Sequence, residues 1–172
     1  MKKILLSLLL ALSLLFSFAF GEVLVDGNVA ITEDLLVEYG EYYSDPHEVA
    51  LYLHVFCELP WNFITKDEAS DIGWVSNRGN LWDVAYGFSI GGDKFGNREG
   101  LLPKSRDRQY YECDVNYSGG YRGGERIVFS DDGLIYYTED HYESFELLYE
   151  GWYEGETYYD PYYDPYTYIF RP

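Results

Sequence analysis

The sequence has few basic residues, few histidines and cysteines, and only one long apolar run, and each shortage argues against a class of function. Lys and Arg number 12 against 30 Asp and Glu, so the formal net charge is −18. A chain this acidic is an unpromising general binder of polyanions. Its 3 histidines and 2 cysteines form no cluster with metal-ligand spacing, which argues against a metal or other cofactor. No second long apolar run follows the N-terminal one, which argues against a membrane protein.

The first apolar run predicts a secretory signal peptide over residues 1–21. Lys2 and Lys3 precede the apolar stretch Ile4–Phe18, and the small residues Ala19 and Gly21 follow it. We therefore expect cleavage after Gly21 and a secreted, extracellular protein. About 150 residues then remain, which suits one monomeric domain.

Basic residues are concentrated rather than absent. Without Lys2 and Lys3, ten of the 12 remain, and nine of these lie between positions 66 and 126. That stretch also contains ten acids and is close to neutral, whereas the sequence on either side is strongly acidic. An anionic substrate would therefore be bound by this central stretch.

Helix signals come first in the chain. Asp45-Pro46 followed by Glu48 predicts a helix N-terminus, and the apolar spacing that follows predicts an amphipathic helix. Thr65 and Glu68 form a capping box before a second short helix, and residues 80–86 predict a third. We interpret the acidic residues 22–41 as an N-terminal arm or a pro-segment.

Strand signals follow. Alternating aromatic and β-branched residues predict strands over 88–94, 109–115, 126–130, 134–138 and 145–148, and Asp131-Asp132-Gly133 predicts a tight hairpin. The fold class is therefore α+β, with N-terminal short helices packed on a C-terminal antiparallel β-sheet. The domain is expected to span 42–149, and residues 150–172 are an acidic Tyr-rich C-terminal extension.

Two residues in the strand region have side chains suited to acid–base chemistry. Glu112 alternates with apolar neighbours on a predicted strand, and His141 lies in the loop after another. Each also has an ordinary interpretation, as a solvated strand acid and a loop histidine. Together they match RNA cleavage, in which a carboxylate takes the proton of the 2′-hydroxyl and an imidazolium protonates the leaving 5′-oxygen.

Seven short motifs occur in order along the domain, at 59–66, 73–75, 79–81, 89–93, 97–100, 114–117 and 140–142. With them the sequence closely resembles barnase and its relatives, the secreted bacterial guanyl-preferring ribonucleases, over about residues 42–149. The resemblance implies a metal-independent endoribonuclease that cuts single-stranded RNA to a 2′,3′-cyclic phosphate and then to a 3′-phosphate.

The resemblance also implies roles for individual residues. Glu112 is the general base and His141 the general acid, and the phosphate-holding cations are Lys66, Arg122 and Arg126. Substrate-binding residues are Phe95, Asn97, Arg98 and Glu99 of a guanine-recognition loop, with Tyr142 stacking on the base. Asp114 is expected to fix the two arginines. An intracellular barstar-like inhibitor protein is the partner that the family implies, beside the RNA.

Some positions depart from the family pattern. Gly96 stands where relatives usually have serine, which bears on the rigidity of the recognition loop, and Tyr111 and Phe88 occupy places that are basic in barnase. Barnase has no cysteines, but strand alternation turns Cys113 away from Glu112 and toward the first helix, on whose apolar face we expect Cys57. A disulfide between them is one interpretation, and two buried free thiols are the other.

A different class of function is a catalytically weak or inactive binding module that keeps the ribonuclease fold and uses its Tyr-rich acidic tail for interaction. The net charge favours it. The presence of all the matched acids, bases and cations favours the enzyme.

Overall fold

The computed structural model describes residues 24–26, 29–32 and 35–154. The predicted signal peptide and residues 155–172 of the predicted extension lie outside this range. The described part confirms the α+β class, because helices early in the chain pack against a mostly antiparallel sheet formed by later residues. None of the helices in the described part is long and apolar enough to cross a membrane.

The acidic segment before position 41 contains a small antiparallel sheet. Its strands are β1 (Leu24–Asp26), β2 (Val29–Ile31) and β3 (Leu36–Glu38), in that order. Ala30 and Val37 are paired across β2 and β3 and are both fully buried in the main core. The segment that the sequence suggested as an arm or pro-segment is therefore packed onto the domain.

The first helix, α1 (Pro46–Phe56), begins where the sequence predicts. Asp45 accepts hydrogen bonds from the backbone N–H groups of His47 (2.9 Å) and Glu48 (3.3 Å), so the N-cap is formed as expected. The helix contacts β2 and β3 and also the last three strands of the main sheet. Because it is covered from both directions, nearly all of its middle is buried, at Val49, Ala50, Leu51, Tyr52, Leu53 and Val55.

Two shorter helices follow. In α2 (Lys66–Asp71) the predicted capping box between Thr65 and Glu68 is formed. The third helix, α3 (Leu81–Val84), is shorter than predicted. Its N-terminal residue Asn80 does not cap it, because the Asn80 side chain instead binds the backbone N–H of Val75 (2.8 Å) and the carbonyl of Gly73 (3.0 Å).

The main sheet has six strands in sequential order, antiparallel except for the first pair. The strands are β4 (Phe63–Ile64), β5 (Ser89–Phe95), β6 (Tyr110–Asp114), β7 (Arg126–Ser130), β8 (Ile135–Thr138) and β9 (Glu146–Tyr149). The five predicted strands are found within one residue at either end. The two-residue strand β4 was not predicted, because it is too short to show a period. Gly133, with φ of 89°, closes the predicted hairpin between β7 and β8.

The two faces of the main sheet pack into different hydrophobic clusters. Cys113, Ile127 and Ile135 belong to the core cluster that contains α1. Tyr110, Val128 and Tyr136 form a second cluster with Leu102 and Leu134. Glu112 alternates with Cys113 on β6, so its carboxylate lies on the face away from α1.

The structure corrects one interpretation of the cysteines, because both are free and no bridge joins them. Cys57 is the C-cap of α1 in a left-handed conformation (φ 59°) and is exposed, whereas Cys113 is buried. The helix therefore ends one residue before Cys57, and the chain turns at that position instead of continuing along the apolar face. The alternative of two buried thiols is also wrong for Cys57.

Candidate functional site

Glu112 is the centre of a polar group on the sheet face away from α1. Its carboxylate is mostly buried, at 8% exposure for the residue. Lys66 Nζ donates to Oε1 at 2.6 Å and the Tyr142 hydroxyl donates to Oε2 at 2.7 Å. Each carboxylate oxygen thus has one donor, and the two donors come from widely separated parts of the chain.

These contacts decide the charge of Glu112. Burial by itself raises the pKa of the Glu112 carboxyl, but the hydrogen bonds from Lys66 and Tyr142 and the charges of Lys66 and Arg122 outweigh it. The pKa therefore lies below its usual value. Glu112 is ionised in weak acid and is able to accept a proton.

Lys66 is positioned by the start of α2 and by Asp93. Its backbone N–H donates to Asp93 Oδ2 at 3.1 Å, and its Nζ lies 3.9 Å from the same oxygen. Burial raises the pKa of Asp93. Asp93 was not predicted as a site residue from the sequence. It lies on β5 and pairs with Glu112 on β6, so strand pairing could have indicated it.

Asp114 lies two residues beyond Glu112 and joins two arginines. Arg122 donates to both of its carboxylate oxygens, from Nε and Nη2, at 2.6 Å each. Arg126, which pairs with Asp114 across β6 and β7, brings its Nε within 2.8 Å of Oδ1 and donates from Nη1 to the carbonyl of Glu125 at 2.6 Å. One buried carboxylate therefore orients two guanidinium groups and neutralises only one of their charges.

His141 and Tyr142 are presented by a tight loop after β8. Both have left-handed backbone conformations, with φ of 58° and 76°. The loop is tied by Asp140, which accepts hydrogen bonds from the Thr138 hydroxyl (2.9 Å) and the Ser144 hydroxyl (2.6 Å). His141 is exposed, and its ring lies 4.7 Å from the ring of Tyr142. The imidazole is thus close to the partner of Glu112 and open to a ligand.

The predicted recognition loop follows β5. The Phe95 ring lies 5.1 Å from the Tyr142 ring, so the loop meets the Glu112 site at this aromatic pair. Asn97 is buried, and its amide exchanges hydrogen bonds with the backbone of Leu102 at 2.9 and 3.1 Å. The Asn97 side chain therefore closes the loop and leaves only its backbone for a ligand, whereas Arg98 and Glu99 are exposed.

The structure therefore brings the predicted residues together in two sets of direct contacts, Glu112 with Lys66 and Tyr142, and Asp114 with Arg122 and Arg126. The sets are neighbours, because the charge of Arg122 acts on Glu112. The rings of His141 and Phe95 lie next to the ring of Tyr142. Among the described residues, no group of three or more His, Cys, Asp or Glu side chains is arranged to hold a metal ion. What the group offers is an ionised carboxylate, an exposed imidazole and three cations around one surface. Such a set can transfer protons and stabilise a phosphorane.

The chain is similar to known ribonucleases. A family model described as ribonuclease matches residues 49–149. The chain is 54% identical over 97 residues to a ribonuclease of Heyndrickxia coagulans, a match that covers 56% of this chain and 89% of that protein. It is equally similar to a ribonuclease of Bacillus intermedius, of which the match covers 60%.

A third relative carries a more specific description. The chain is 48% identical over 63 residues to the guanyl-specific ribonuclease St of Saccharopolyspora erythraea. This match covers 36% of the chain and 62% of that relative.

Proposed function

Because the chain belongs to the family of microbial ribonucleases, we propose that it cleaves single-stranded RNA after guanosine without the help of a metal ion. The observation that carries this proposal is the Glu112 carboxylate, ionised and held at both oxygens, beside the Asp114-bound arginines. RNA supplies its own nucleophile, the 2′-hydroxyl, so the enzyme has to move protons and stabilise charge.

In the first step Glu112 accepts the proton of the 2′-hydroxyl as its oxygen attacks the adjacent phosphorus. The bond between phosphorus and the 5′-oxygen breaks, and His141 donates a proton to that oxygen. The products are a 2′,3′-cyclic phosphate and a free 5′-hydroxyl. In the slower second step the roles reverse, because water attacks the cyclic phosphate, His141 accepts its proton, and Glu112 protonates the released 2′-oxygen.

The cations have the task of stabilising the phosphorane. Arg122 and Arg126 present two guanidinium groups whose orientation Asp114 fixes. Lys66 contacts one carboxylate oxygen of Glu112 and Tyr142 contacts the other. Donors that are already positioned lose little energy to reorganisation when charge develops. This supports a catalytic role for all three.

Guanine recognition is proposed for the loop that starts at Phe95. Backbone N–H groups near Asn97 and Arg98 and the exposed Glu99 carboxylate would meet the guanine edge, and Tyr142 would stack on the base. The contact between Asn97 and Leu102 supports this role, because it holds the loop backbone in one conformation.

The proposal is tested by cleavage of a single-stranded oligoribonucleotide in EDTA, with products identified by mass. We expect cyclic phosphates at guanosine, and activity reduced by at least about a hundredfold in Glu112→Gln and in His141→Ala, each still folded. His47→Ala, which changes an exposed histidine at the N-terminus of α1, is the matched control and should retain activity. A folded wild type without activity would instead favour the binding module.

Export and an inhibitor also belong to the proposal. The apolar N-terminal run supports secretion.

An intracellular inhibitor is proposed as well, because a ribonuclease that is active before export would cut the RNA of the cell that makes it. If that inhibitor is acidic, the net charge of −18 makes long-range attraction weak or repulsive. We expect an association rate that rises with salt. A steep fall would contradict this.

A further inference from the structure

The imidazole of His141 is placed by its backbone and not by hydrogen bonds of its own. It is exposed, and within residues 24–26, 29–32 and 35–154 no group forms a hydrogen bond or an ion pair with it. The ring beside it is that of Tyr142, at 4.7 Å. A general acid without an orienting partner reaches a leaving oxygen only if the main chain that carries it is held in place.

That main chain has an unfavourable conformation. His141 and Tyr142 both have positive φ, 58° and 76°, in a region that residues with a Cβ rarely adopt. Such conformations persist only where the surrounding structure holds them, and they are concentrated at functional sites. The loop between β8 and β9 must therefore contain groups that hold these two residues.

Asp140 is the centre of the contacts that do so. Its Oδ1 accepts hydrogen bonds from the Thr138 hydroxyl and the Ser144 backbone N–H, both at 2.9 Å, and its Oδ2 accepts from the Ser144 hydroxyl at 2.6 Å. The Thr138 hydroxyl oxygen in turn accepts from the backbone N–H of Tyr142 at 3.0 Å. Thr138, Asp140 and Ser144 thus form a clamp, which we call the loop clamp, around His141 and Tyr142.

The loop clamp is attached to the sheet beside the arginines. Thr138 is buried at the end of β8 and pairs with Arg126 on β7. On the other side of the loop, a Cβ placed on Gly124 would lie 3.5 Å from the backbone nitrogen of His141 and 3.6 Å from its Cβ. His141 is therefore held between the loop clamp and the segment that links Arg122 to Arg126.

The charge state of Asp140 suits a permanent contact. The hydrogen bonds from the Ser144 hydroxyl and backbone N–H lower the pKa of Asp140 to about 2. Asp140 is therefore ionised throughout the weakly acidic and neutral range in which a carboxylate and an imidazole cleave RNA. The loop clamp keeps its hydrogen bonds over that whole range.

We propose that Asp140 is a positioning residue for the general acid, because through the loop clamp it fixes the backbone that carries His141. The inference rests on the proposed function, since it takes His141 as the acid that protonates the leaving 5′-oxygen. Asp140 itself does not touch the substrate. Its loss should slow the proton transfer from His141 and leave the proton transfer to Glu112 unchanged.

The test uses two substrates that differ in their leaving group. In a guanosine dinucleotide the leaving 5′-oxygen has to be protonated, whereas the p-nitrophenyl ester of guanosine 3′-phosphate releases p-nitrophenolate, an anion that needs no proton. We expect folded Asp140→Ala to lower kcat by about tenfold on the dinucleotide and by less than about twofold on the ester. If Asp140→Ala does not fold, Ser144→Ala removes one hydrogen bond of the loop clamp and should show the same difference at about threefold.

Two further variants separate the hydrogen bonds of Asp140 from its charge. Asp140→Asn keeps the shape, with an amide oxygen to accept and an amino group to donate to Ser144, and should retain at least about half of the dinucleotide activity. Glu143→Ala removes an exposed acid of the same loop whose side chain has no hydrogen bond or ion pair within the described part of the chain, and should be as active as wild type. A fall as large as that of Asp140→Ala in either variant would show that the charge matters, and would overturn the inference.

A double variant supplies a second readout. Because Asp140 acts through His141, Asp140→Ala combined with His141→Ala should be as slow on the dinucleotide as His141→Ala alone. A further tenfold fall, or equal falls of Asp140→Ala on the two substrates, would indicate general damage to the site and contradict the positioning role. A wild type that cleaves neither substrate would instead overturn the proposed function.

Discussion

Lys66 Nζ lies 2.6 Å from Glu112 Oε1, so the proposed base is ion-paired with one of the cations proposed to stabilise the phosphorane. This contact lowers the pKa of Glu112 against the effect of burial. A base with a lowered pKa is deprotonated at lower pH. In the pH profile of kcat/KM, the midpoint of the acidic limb should therefore lie below the ordinary glutamate pKa of about 4.3.

Removing Lys66 should shift that limb. In Lys66→Ala the burial of Glu112 remains while its strongest partner is lost, so the pKa rises and activity is lost at a higher pH than in wild type. Tyr142→Phe removes the second hydrogen bond and should shift the limb in the same direction. The measurement is the pH profile of kcat/KM. Acidic limbs that coincide in wild type, Lys66→Ala and Tyr142→Phe would show that the limb reports a group other than Glu112.

Asp114 should matter for stability as well as activity. Its side chain is 2% exposed and holds both arginines, so Asp114→Ala leaves buried charge unpaired and is expected to cost about 3–5 kcal/mol in the free energy of unfolding. Asp132→Ala removes an ion pair with Arg108 at a side chain that is 47% exposed, and should cost less than about 1 kcal/mol. Urea unfolding compares the two, and equal costs would contradict the account of the arginine pair.

Gly96 offers a direct test of loop rigidity. Its φ is not in the left-handed region, and an added Cβ would make only ordinary contacts, at 3.5 and 3.7 Å from Arg98. Gly96→Ser should therefore be accommodated, should stabilise the fold by about 0.4–1 kcal/mol, and should sharpen the preference for guanosine over adenosine. Dinucleotide kinetics measure the preference. Gly100→Ser is the contrasting control, because Gly100 has φ of 73° and should be strained by any side chain.

The small N-terminal sheet should contribute to stability and not to catalysis. Val37 is fully buried against α1, and Val37→Ala is expected to cost about 2 kcal/mol. Its neighbour Leu36 is 57% exposed, and Leu36→Ala should change stability by no more than about 0.5 kcal/mol. Both variants should keep wild-type kcat/KM when folded. Equal stability of the two would mean that the segment is a dispensable pro-segment after all.

The two thiols should differ in reactivity. Alkylation of the native protein should modify Cys57, which is exposed, and unfolding should be needed before Cys113 reacts. Partial desolvation by its neighbours and the charge of Glu58 raise the pKa of the Cys57 thiol, so its reaction should be slow at neutral pH. Full burial raises the pKa of the Cys113 thiol more strongly. Intact mass measures the adducts. If neither cysteine is alkylated until the protein is reduced, the two are joined by a disulfide.

Local signals account for the parts of the fold that the sequence predicted. Asp45 and Thr65 each cap a helix with their own side chain, and the alternation through β6 is visible because five successive residues share one pattern. β1 to β4 have two or three residues each, too few to show a period, and are defined by their partners. The third helix was predicted from Asn80, but the Asn80 side chain binds Gly73 and Val75 and the helix begins at Leu81.

In the candidate site, too, some features follow from the sequence and others depend on the folded structure. The resemblance supplied Glu112, His141 and the cations. The inward-turned Asn97 amide depends on the conformation of its own loop, which carries no repeating pattern. The Asp93 contact to Lys66 joins segments 27 positions apart and depends on how they approach. The hydrogen bond from Tyr142 to Glu112 is of this kind, since it joins residues 30 positions apart through a left-handed loop. Spacing along a chain does not report such contacts.

The small sheet against α1 also bears on the order in which the chain folds. β2, β3 and α1 all lie within residues 29–56, so their mutual contacts close only short loops, whereas the contacts of α1 with β9 join it to Glu146–Tyr149, much later in the chain. Local contacts form faster than non-local ones. During synthesis this N-terminal unit emerges first, and it presents the later strands with a helix that is already covered on its outer side.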